Sequence, residues 1–265
     1  MAVISLMAEG LPEPVCLSLI AAGGVPLCGM ADALAAIRAA ASGRAPGAVL
    51  APGTPVGAQV IGEAEAKALL AAAGLPVPRS ARADSAAGAA DRATEIGFPV
   101  VLKGEGIAHK SEAGAVVLNL RDAAAVEAAA AAMPSQSFLV EEMVEGGIAE
   151  LLIGVVRDPV HGFVLTLGLG GVMTEILRDT VSVLVPAPEA ELRAALDRLR
   201  IAPLLHGFRG KPGVDIDAVI AALMALQGFV AARAETLEEV EINPLIATPA
   251  RVWAADALIR MGERA

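Results

Sequence analysis

Hydrophobic and polar positions follow one another in blocks along the chain, and each block predicts a strand or a helix. The first forty residues predict strand, helix, strand and helix, at 2–7, 12–22, 25–30 and 31–41. A helix between two strands implies that those strands run parallel. Parallel sheets have more than two strands and are covered on both faces. We therefore expect another chain, or residues preceding this segment, to complete it.

A stretch rich in glycine and proline at 41–57 follows and predicts a connection between domains. Beyond it, strands and helices alternate without a simple repeat, which predicts an α+β architecture. Helices are expected at 63–73, 85–96, 123–133, 188–199 and 215–233, and strands at 99–103, 115–120, 137–143, 149–158, 161–169, 181–185, 237–243 and 250–259.

Composition and charge narrow the classes of function. The chain has 265 residues, of which 55% are hydrophobic and 19% charged, so it is long and apolar enough to bury a core. Its net charge of −10 argues against nucleic acid or a membrane surface as a partner. Cys16 and Cys28 lack metal-ligand spacing and lie in apolar surroundings, which predicts two buried, reduced thiols in a cytoplasmic protein. Prolines and a glycine pair interrupt the uncharged stretch 14–31, which argues against a membrane span.

The sequence KGEGIAHKSEAG at 103–114 concentrates positive charge and glycine after a predicted strand, against the acidic trend of the chain. A Walker A loop would need Gly-Lys-Ser where His-Lys-Ser stands at 109–111. The dinucleotide pattern G-x-G-x-x-G fails as well, because GEGIAH ends in His109 and GLGGVM ends in Met173. We therefore expect an anion site of another kind, with a lysine at a strand end and metal ligands elsewhere.

The sequence VEINPL at 240–245 offers such metal ligands. Glu241 and Asn243 lie two positions apart on a predicted strand, so both side chains should point to one face. Asp256 on the following strand is expected to approach the same point. Carboxylate and amide oxygens are ligands that Mg²⁺ takes, and protein-bound Mg²⁺ often also holds nucleotide phosphates.

Together these features resemble the ATP-grasp domain of the NDP-forming acyl-CoA synthetases, the superfamily of ADP-forming acetyl-CoA synthetase and the succinyl-CoA synthetase β subunit. The resemblance covers about residues 60–260 and implies a two-lobed ATP-grasp fold of mixed α/β and α+β character. It rests on Lys103, the HKSEAG loop, FLVEEMVEGGIAELLIGVVRDP (138–159), GLGGVMTEILRD (168–179) and EINPL (241–245). Residues 1–50 resemble the end of a flavodoxin-like ligase domain, followed by a linker at 51–61 and lobes at 62–143 and 144–265.

The resemblance also implies roles for individual residues. His109 would pass a phosphoryl group towards the nucleotide, and Lys110 and Arg178 would assist it. The residues implied to bind the nucleotide are Lys103 at the phosphates, Glu141, Glu142 and Met143 at the adenine, Glu150 at the ribose, and Gly170 and Gly171 with Gly168 near the phosphates. Asp179 is expected to face the phosphates with Arg178, whereas His161 and His206 are expected to be structural. Glu241, Asn243 and Asp256 would bind Mg²⁺.

The function implied is that of the ATP- or ADP-binding part of an ADP-forming acyl-CoA synthetase. CoA would be bound mainly by an α-type partner subunit or by N-terminal domains, and an oligomer is expected. Acetate, a longer aliphatic acid and an aromatic acid all remain open as the carboxylic acid, as does ATP against GTP. Two other functions stay open: a self-sufficient carboxylate–amine ligase, and a non-catalytic nucleotide-binding regulatory subunit.

Overall fold

The computed structural model describes residues 1–41, 50–106, 114–171, 177 and 179–264, which contain the mixture of helices and sheets that the sequence predicts. They form two compact units, Met1–Ala48 and Val49–Ala265. The strands are β1 (Ala2–Ser5), β2 (Val25–Cys28), β3 (Pro55–Ile61), β4 (Ser80–Ala83), β5 (Val100–Gly104), β6 (Val116–Leu120), β7 (Phe138–Glu142), β8 (Ala149–Asp158), β9 (Gly162–Leu169), β10 (Thr180–Val185), β11 (Leu237–Ala247), β12 (Val252–Ala254) and β13 (Ala257–Arg264). The helices are α1 (Glu13–Ala21), α2 (Met30–Ala41), α3 (Glu63–Ala72), α4 (Ala86–Ile96), α5 (Ala123–Ala132), α6 (Glu189–Asp197), α7 (Ala202–Leu205) and α8 (Ile216–Ala232).

The first unit contains the parallel strand pair that the sequence predicts. Strands β1 and β2 pair in parallel, with Ala2 opposite Val25, and helices α1 and α2 follow them. Helix α1 buries none of its residues, and helix α2 buries only Ala33. The prediction that Cys16 and Cys28 are buried is wrong: Cys16 is half-buried and Cys28 is exposed. In its described part, this unit therefore contributes little buried apolar surface, as expected for a piece of a larger α/β sheet.

The larger sheet of the second unit has seven strands. Its order is β10-β9-β8-β11-β13-β3, with β12 paired to β11, and all of its pairings are antiparallel. Helices α3, α6 and α8 contribute buried aliphatic side chains to the core against this sheet. Helix α8 alone buries eight residues, so it supplies much of that core. No helix in the described part of the chain is both long and apolar enough to span a bilayer.

The smaller sheet has four antiparallel strands in the order β4-β7-β5-β6. Helices α4 and α5 pack on it through small side chains, which allow close approach. Both helices begin at a residue whose side chain accepts a backbone N–H: Ser85 from Gly88 at 3.1 Å and Asp122 from Ala125 at 2.8 Å.

Two parts of the second unit differ from the sequence-based boundaries. Residues 51–61, expected as a linker, contain strand β3, which pairs with β13 at the edge of the larger sheet. Helix α3, expected in the first lobe, buries Ala66 and Leu70 in the core of the larger sheet. The reason is that a hydrophobic pattern predicts which face of an element is buried, but not which sheet covers it.

The predicted last strand at 250–259 is divided in two. Strand β12 ends at Ala254, β13 begins at Ala257, and Ala255 and Asp256 lie between them. The Ala255 N–H donates to Pro244 O at 3.0 Å, and the Asn243 N–H donates to Asp256 O at 3.2 Å. These bonds hold the connection against β11, next to the predicted metal ligands.

Two glycines of the second unit give a matched test of this packing. Gly228 lies exposed within helix α8, where an added Cβ would meet nothing within 4 Å, so Gly228→Ala should raise the free energy of unfolding by about 0.5–1 kcal/mol. At Gly53 a Cβ would lie 2.5 Å from Glu235 Cα, so Gly53→Ala should lower the free energy of unfolding by about 1–3 kcal/mol. Urea unfolding measures both, and two changes of the same sign would contradict the structure around these residues.

Candidate functional site

Lys103 lies near the end of β5, and its side chain is almost fully buried. Its ammonium group contacts three acceptors: Glu63 Oε1 at 2.6 Å, Ala255 O at 2.7 Å and Glu141 Oε2 at 2.7 Å. A lysine ammonium has three N–H donors, so these contacts use all of them. A phosphate oxygen can therefore bind Lys103 only by replacing one of these acceptors.

A second buried lysine joins the same carboxylates. Lys67 Nζ lies 2.5 Å from Glu141 Oε1 and 3.0 Å from Glu63 Oε1. Glu63 and Lys67 are one turn apart on helix α3, and Glu141 lies on strand β7 beside β5. We call Glu63, Lys67, Lys103 and Glu141 the buried charge cluster. All four residues are less than 9% exposed, so water screens their interactions little.

The two lysines of the cluster have opposite pKa shifts. Burial by itself would lower the pKa of Lys103, but Glu141, Glu63 and Asp256 outweigh burial and raise that pKa above its usual value. Burial, and then the neighbouring Lys103, lower the pKa of Lys67 despite the opposing effects of Glu141 and Glu63. Lys103 is therefore firmly held as a cation at neutral pH.

The predicted metal ligands form a second group at the end of β11. Asn243 Nδ2 donates to Glu241 Oε1 at 3.5 Å, so these side chains lie on one face as the sequence predicts. Asp256 lies next to them, because its backbone oxygen accepts the Asn243 N–H. Its Oδ1 accepts the Ala257 N–H at 2.7 Å. The register of β11 against β8 shifts between Ile242 and Leu245, which is where Asn243 leaves the regular ladder.

The two groups meet at residues 255 and 256. Lys103 bonds the Ala255 carbonyl, and the charge of the next residue, Asp256, acts on the Lys103 ammonium. One strand end of the smaller sheet and three oxygen-bearing side chains of the larger sheet are thus brought to one place. Their roles towards a ligand remain predictions.

The donor set fits Mg²⁺ in the presence of a phosphate ligand. The described residues contain no group of three or more His, Cys, Asp or Glu side chains placed to hold a metal by themselves. Glu241 and Asp256 contribute two carboxylates here, and Asn243 contributes an amide. Mg²⁺ usually takes one or two carboxylates, with waters and substrate phosphates as the remaining ligands, so these residues suit a phosphate-bound Mg²⁺.

The glycines at 168–171 pack closely against other parts of the protein. An added Cβ would lie 2.6 Å from Leu151 C at Gly170 and 2.8 Å from Asp179 O at Gly168. These contacts alone require glycine at both positions. At Gly171, a Cβ would lie 2.1 Å from Glu150 Oε2, and the N–H donates to Asn243 Oδ1 at 3.0 Å. Gly171 therefore lies between the exposed Glu150 and Asn243, one of the predicted metal ligands.

Two of the three residues predicted to face an adenine, Glu142 and Met143, have their backbone N–H groups bonded within the protein. The Glu142 N–H donates to Arg79 O at 2.9 Å, and the Met143 N–H donates to Pro99 O at 3.1 Å. The Glu142 carboxylate forms an ion pair with Arg79, and that of Glu141 belongs to the buried charge cluster. Contacts of Glu142 and Met143 with an adenine edge would therefore use their carbonyl oxygens.

The remaining residues that the sequence singles out either lie outside the described residues or have side chains bonded within the protein. His109, Lys110 and Arg178 lie outside the described residues. The expectation that Asp179 faces the phosphates is corrected, because its carboxylate accepts the N–H groups of Arg200 and Ile201 at 2.9 and 3.0 Å. His161 and His206 contact Asp158 and Asp197 at the surface, in line with structural roles.

Sequence reasoning missed Glu63 and Lys67 as members of the site. The pattern at 63–73 predicts a helix but gives these two residues no role in a site. A usable signal was present, since Lys67 follows Ala66 directly and precedes Leu70 by three positions, which places it beside the apolar face. A charged residue in that place must find a partner or leave the core.

Comparisons with known proteins bear on this fold and site. A family model described as "ATP-grasp domain" matches residues 55–261. The β subunit of the ADP-forming acetate–CoA ligase II of Pyrococcus furiosus is 33% identical over 196 residues, covering 69% of this chain and 83% of that subunit. A trans-feruloyl-CoA synthase from an unknown prokaryotic organism is 38% identical over 226 residues, covering 80% of this chain. The chain spans only 32% of the length of that synthase.

A solved structure agrees with these relatives. The dinucleotide-forming acetyl-coenzyme A synthetase 1 of Ca. Korarchaeum cryptofilum, in complex with coenzyme A, Ca-AMPCP and HgCl⁺, superposes with a TM-score of 0.70 at 32% identity. The match covers 86% of this chain and 98% of the other. The ATP-grasp fold that the sequence motifs imply is therefore confirmed, and the chain belongs to the ATP-grasp domain family, within the family of β subunits of ADP-forming acetate–CoA ligases.

Proposed function

We propose that this chain is the nucleotide-binding part of an ADP-forming acyl-CoA synthetase, which converts a carboxylic acid, CoA and ATP into acyl-CoA, ADP and phosphate. The observation that carries the proposal is the contact of Lys103 with Ala255 O at 2.7 Å. It brings a buried cation next to Asp256 and Asn243, so a cation for phosphate and oxygen ligands for Mg²⁺ lie in one place. A mononucleotide with two or three phosphates suits this combination.

The residues of the chain would divide the work of phosphoryl transfer. Lys103 would hold a phosphate oxygen after releasing one of its present acceptors. Glu241, Asn243 and Asp256 would hold Mg²⁺, which neutralises charge on the phosphate oxygens. His109 would accept the phosphoryl group: an imidazole nitrogen forms the P–N bond as the bond from the γ-phosphorus to the ADP oxygen breaks. The reverse step would regenerate ATP from ADP.

The remaining chemistry needs protein outside this chain. The chain covers most of a β subunit but about a third of a single-chain relative, so we propose an α-type subunit, or N-terminal domains, as its partner. That partner would bind CoA and exchange acyl-CoA and phosphate for an acyl phosphate. A solved relative with coenzyme A and Mg-AMPPCP has its phosphohistidine segment pointing towards the nucleotide-binding site, which supports such a relay between parts.

The identity of the acid should be decided mainly by that partner. Relatives that are 33–38% identical to this chain carry the names of ligases for ferulate, acetate and 4-hydroxybutyrate. Aromatic and small aliphatic acids thus occur with similar nucleotide-binding parts. A cytoplasmic location is part of the same proposal and agrees with the free Cys16 and Cys28.

Isotope exchange tests the histidine step without the partner. If Mg·ATP phosphorylates His109 and releases ADP, the full chain should catalyse exchange of ¹⁴C between ADP and ATP in the absence of acid and CoA. His109→Ala should reduce the exchange rate by about a thousandfold or more, since a lost nucleophile removes the covalent step.

His161→Ala is the matched control, because His161 is exposed in the connection between β8 and β9 and contacts Asp158, so its exchange rate should stay at the wild-type level. Exchange that survives in His109→Ala contradicts the relay. Exchange that requires added acid supports a carboxylate–amine ligase instead, and nucleotide binding without exchange supports a regulatory subunit.

Magnesium titrations test the ligand set. Asn243→Ala and Glu241→Gln each remove one expected ligand, so the Mg²⁺ concentration needed for half-maximal ADP binding should rise by about tenfold or more. Isothermal titration calorimetry with ADP at a series of Mg²⁺ concentrations measures this requirement.

Glu239→Gln serves as the control, because Glu239 pairs with Val156 and Arg260, further along β11 from Asn243 and Asp256, and should leave the requirement unchanged. An equal shift in all three variants, or in none, would argue against Glu241 and Asn243 as ligands.

A further inference from the structure

The buried charge cluster raises the question of how Lys103 becomes available to a phosphate. Its three N–H donors are used by Glu63, Glu141 and Ala255 O. Releasing a carboxylate inside the protein is unfavourable when that carboxylate is left without a partner. A lysine paired in this way would therefore bind an added anion poorly unless another cation receives the released group.

Lys67 is placed to be that cation: burial lowers its pKa, but its Nζ has two carboxylate partners, Glu141 Oε1 at 2.5 Å and Glu63 Oε1 at 3.0 Å, which stabilise the ammonium form. Glu141 contacts Lys67 through Oε1 and Lys103 through Oε2, so each of its oxygens already has its own lysine. Glu63 uses Oε1 for both lysines, at 3.0 Å from Lys67 and 2.6 Å from Lys103. Either carboxylate can therefore leave Lys103 and still keep its present contact with Lys67.

The number of carboxylates near Lys103 also indicates that a second cation is needed there. Three carboxylates act on its ammonium, those of Glu141, Glu63 and Asp256. Lys67 compensates one of these negative charges from a position that is 2% exposed. In the described part of the chain, removal of Lys67 would leave Lys103 as the one lysine of the cluster facing these three carboxylates, and repulsion between buried like charges is strong.

We infer that Lys67 is a positioning residue for nucleotide binding: it takes over the carboxylate that Lys103 releases when a phosphate oxygen replaces it. The exchange breaks one Lys103–carboxylate contact and forms one Lys103–phosphate contact, and no proton is transferred. This inference rests on the proposed function, because it takes the phosphates of Mg·ADP or Mg·ATP as the incoming anion. It assigns Lys67 no contact with the nucleotide itself.

Charge-matched variants of the full chain test the inference by calorimetric titration with Mg·ADP. Lys67→Met should raise the Kd by about tenfold or more, because Lys103 then has to keep both carboxylates. Glu63→Gln should lower the Kd by about threefold or more, because Lys103 is then held by one carboxylate fewer. The double variant Lys67→Met/Glu63→Gln restores the balance of charge and should return the Kd to within about threefold of the wild type.

Rescue in the double variant separates this role from packing, because a lost packing contact of Lys67 is not restored by a second substitution at Glu63. Arg92→Met removes a cation from an exposed pair with Glu95 and should leave the Kd unchanged. If Lys67→Met does not fold, Glu63→Gln decides alone, since it keeps the shape of the side chain.

The outcomes also separate the inference from the proposed function. Wild-type protein that binds Mg·ADP, with the same Kd in all three cluster variants, overturns the inference and leaves the proposed function standing. Weaker binding by Glu63→Gln, or no rescue in the double variant, overturns it as well. Wild-type protein that does not bind Mg·ADP overturns both.

Discussion

The contact between the two sheets of the second unit depends on the hydrogen-bond partners of one buried cation, Lys103. Lys103 extends from the smaller sheet, and its acceptors come from helix α3, strand β7 and the connection between β12 and β13. A buried ammonium group must keep such partners, so the two sheets are held together at this point. The same contact brings Lys103 to Asp256, and through Asp256 to Asn243. Structural and functional requirements thus fall on the same side chain.

This arrangement explains how an acidic protein can offer a site to an anion. With a net charge of −10, the chain as a whole repels phosphate, so attraction has to be local. The carboxylates that keep Lys103 charged also accept hydrogen bonds from its ammonium group. Lys67 forms ion pairs with the same carboxylates. The oxygens of Glu241, Asn243 and Asp256 would bind a metal ion only when phosphates complete its coordination sphere. Binding of the nucleotide and of the metal ion would therefore depend on each other.

The sequence predicted most strands and helices because their hydrophobic periods were clear, and it predicted that Glu241 and Asn243 share a face because strands have a period of two. It did not predict that helix α3 packs on the larger sheet, since periodicity does not identify the partner of a buried face. Lys67 was missed for the same reason. At strand β3 the sequence predicts a linker instead, because glycine and proline surround these residues. The division of the last strand at Ala255 and Asp256, which forms the site, depends on long-range bonds to β11 that no local pattern contains.

A crystal structure of the chain with Mg²⁺ and ADP would show whether Lys103 and the predicted metal ligands hold one nucleotide. We expect a phosphate oxygen within about 3 Å of Lys103 Nζ, in place of one carboxylate oxygen. We also expect Mg²⁺ at about 2.1 Å from oxygens of Glu241, Asn243 or Asp256. A nucleotide bound elsewhere, with Lys103 still paired to both Glu63 and Glu141 and no metal at these residues, would contradict both expectations.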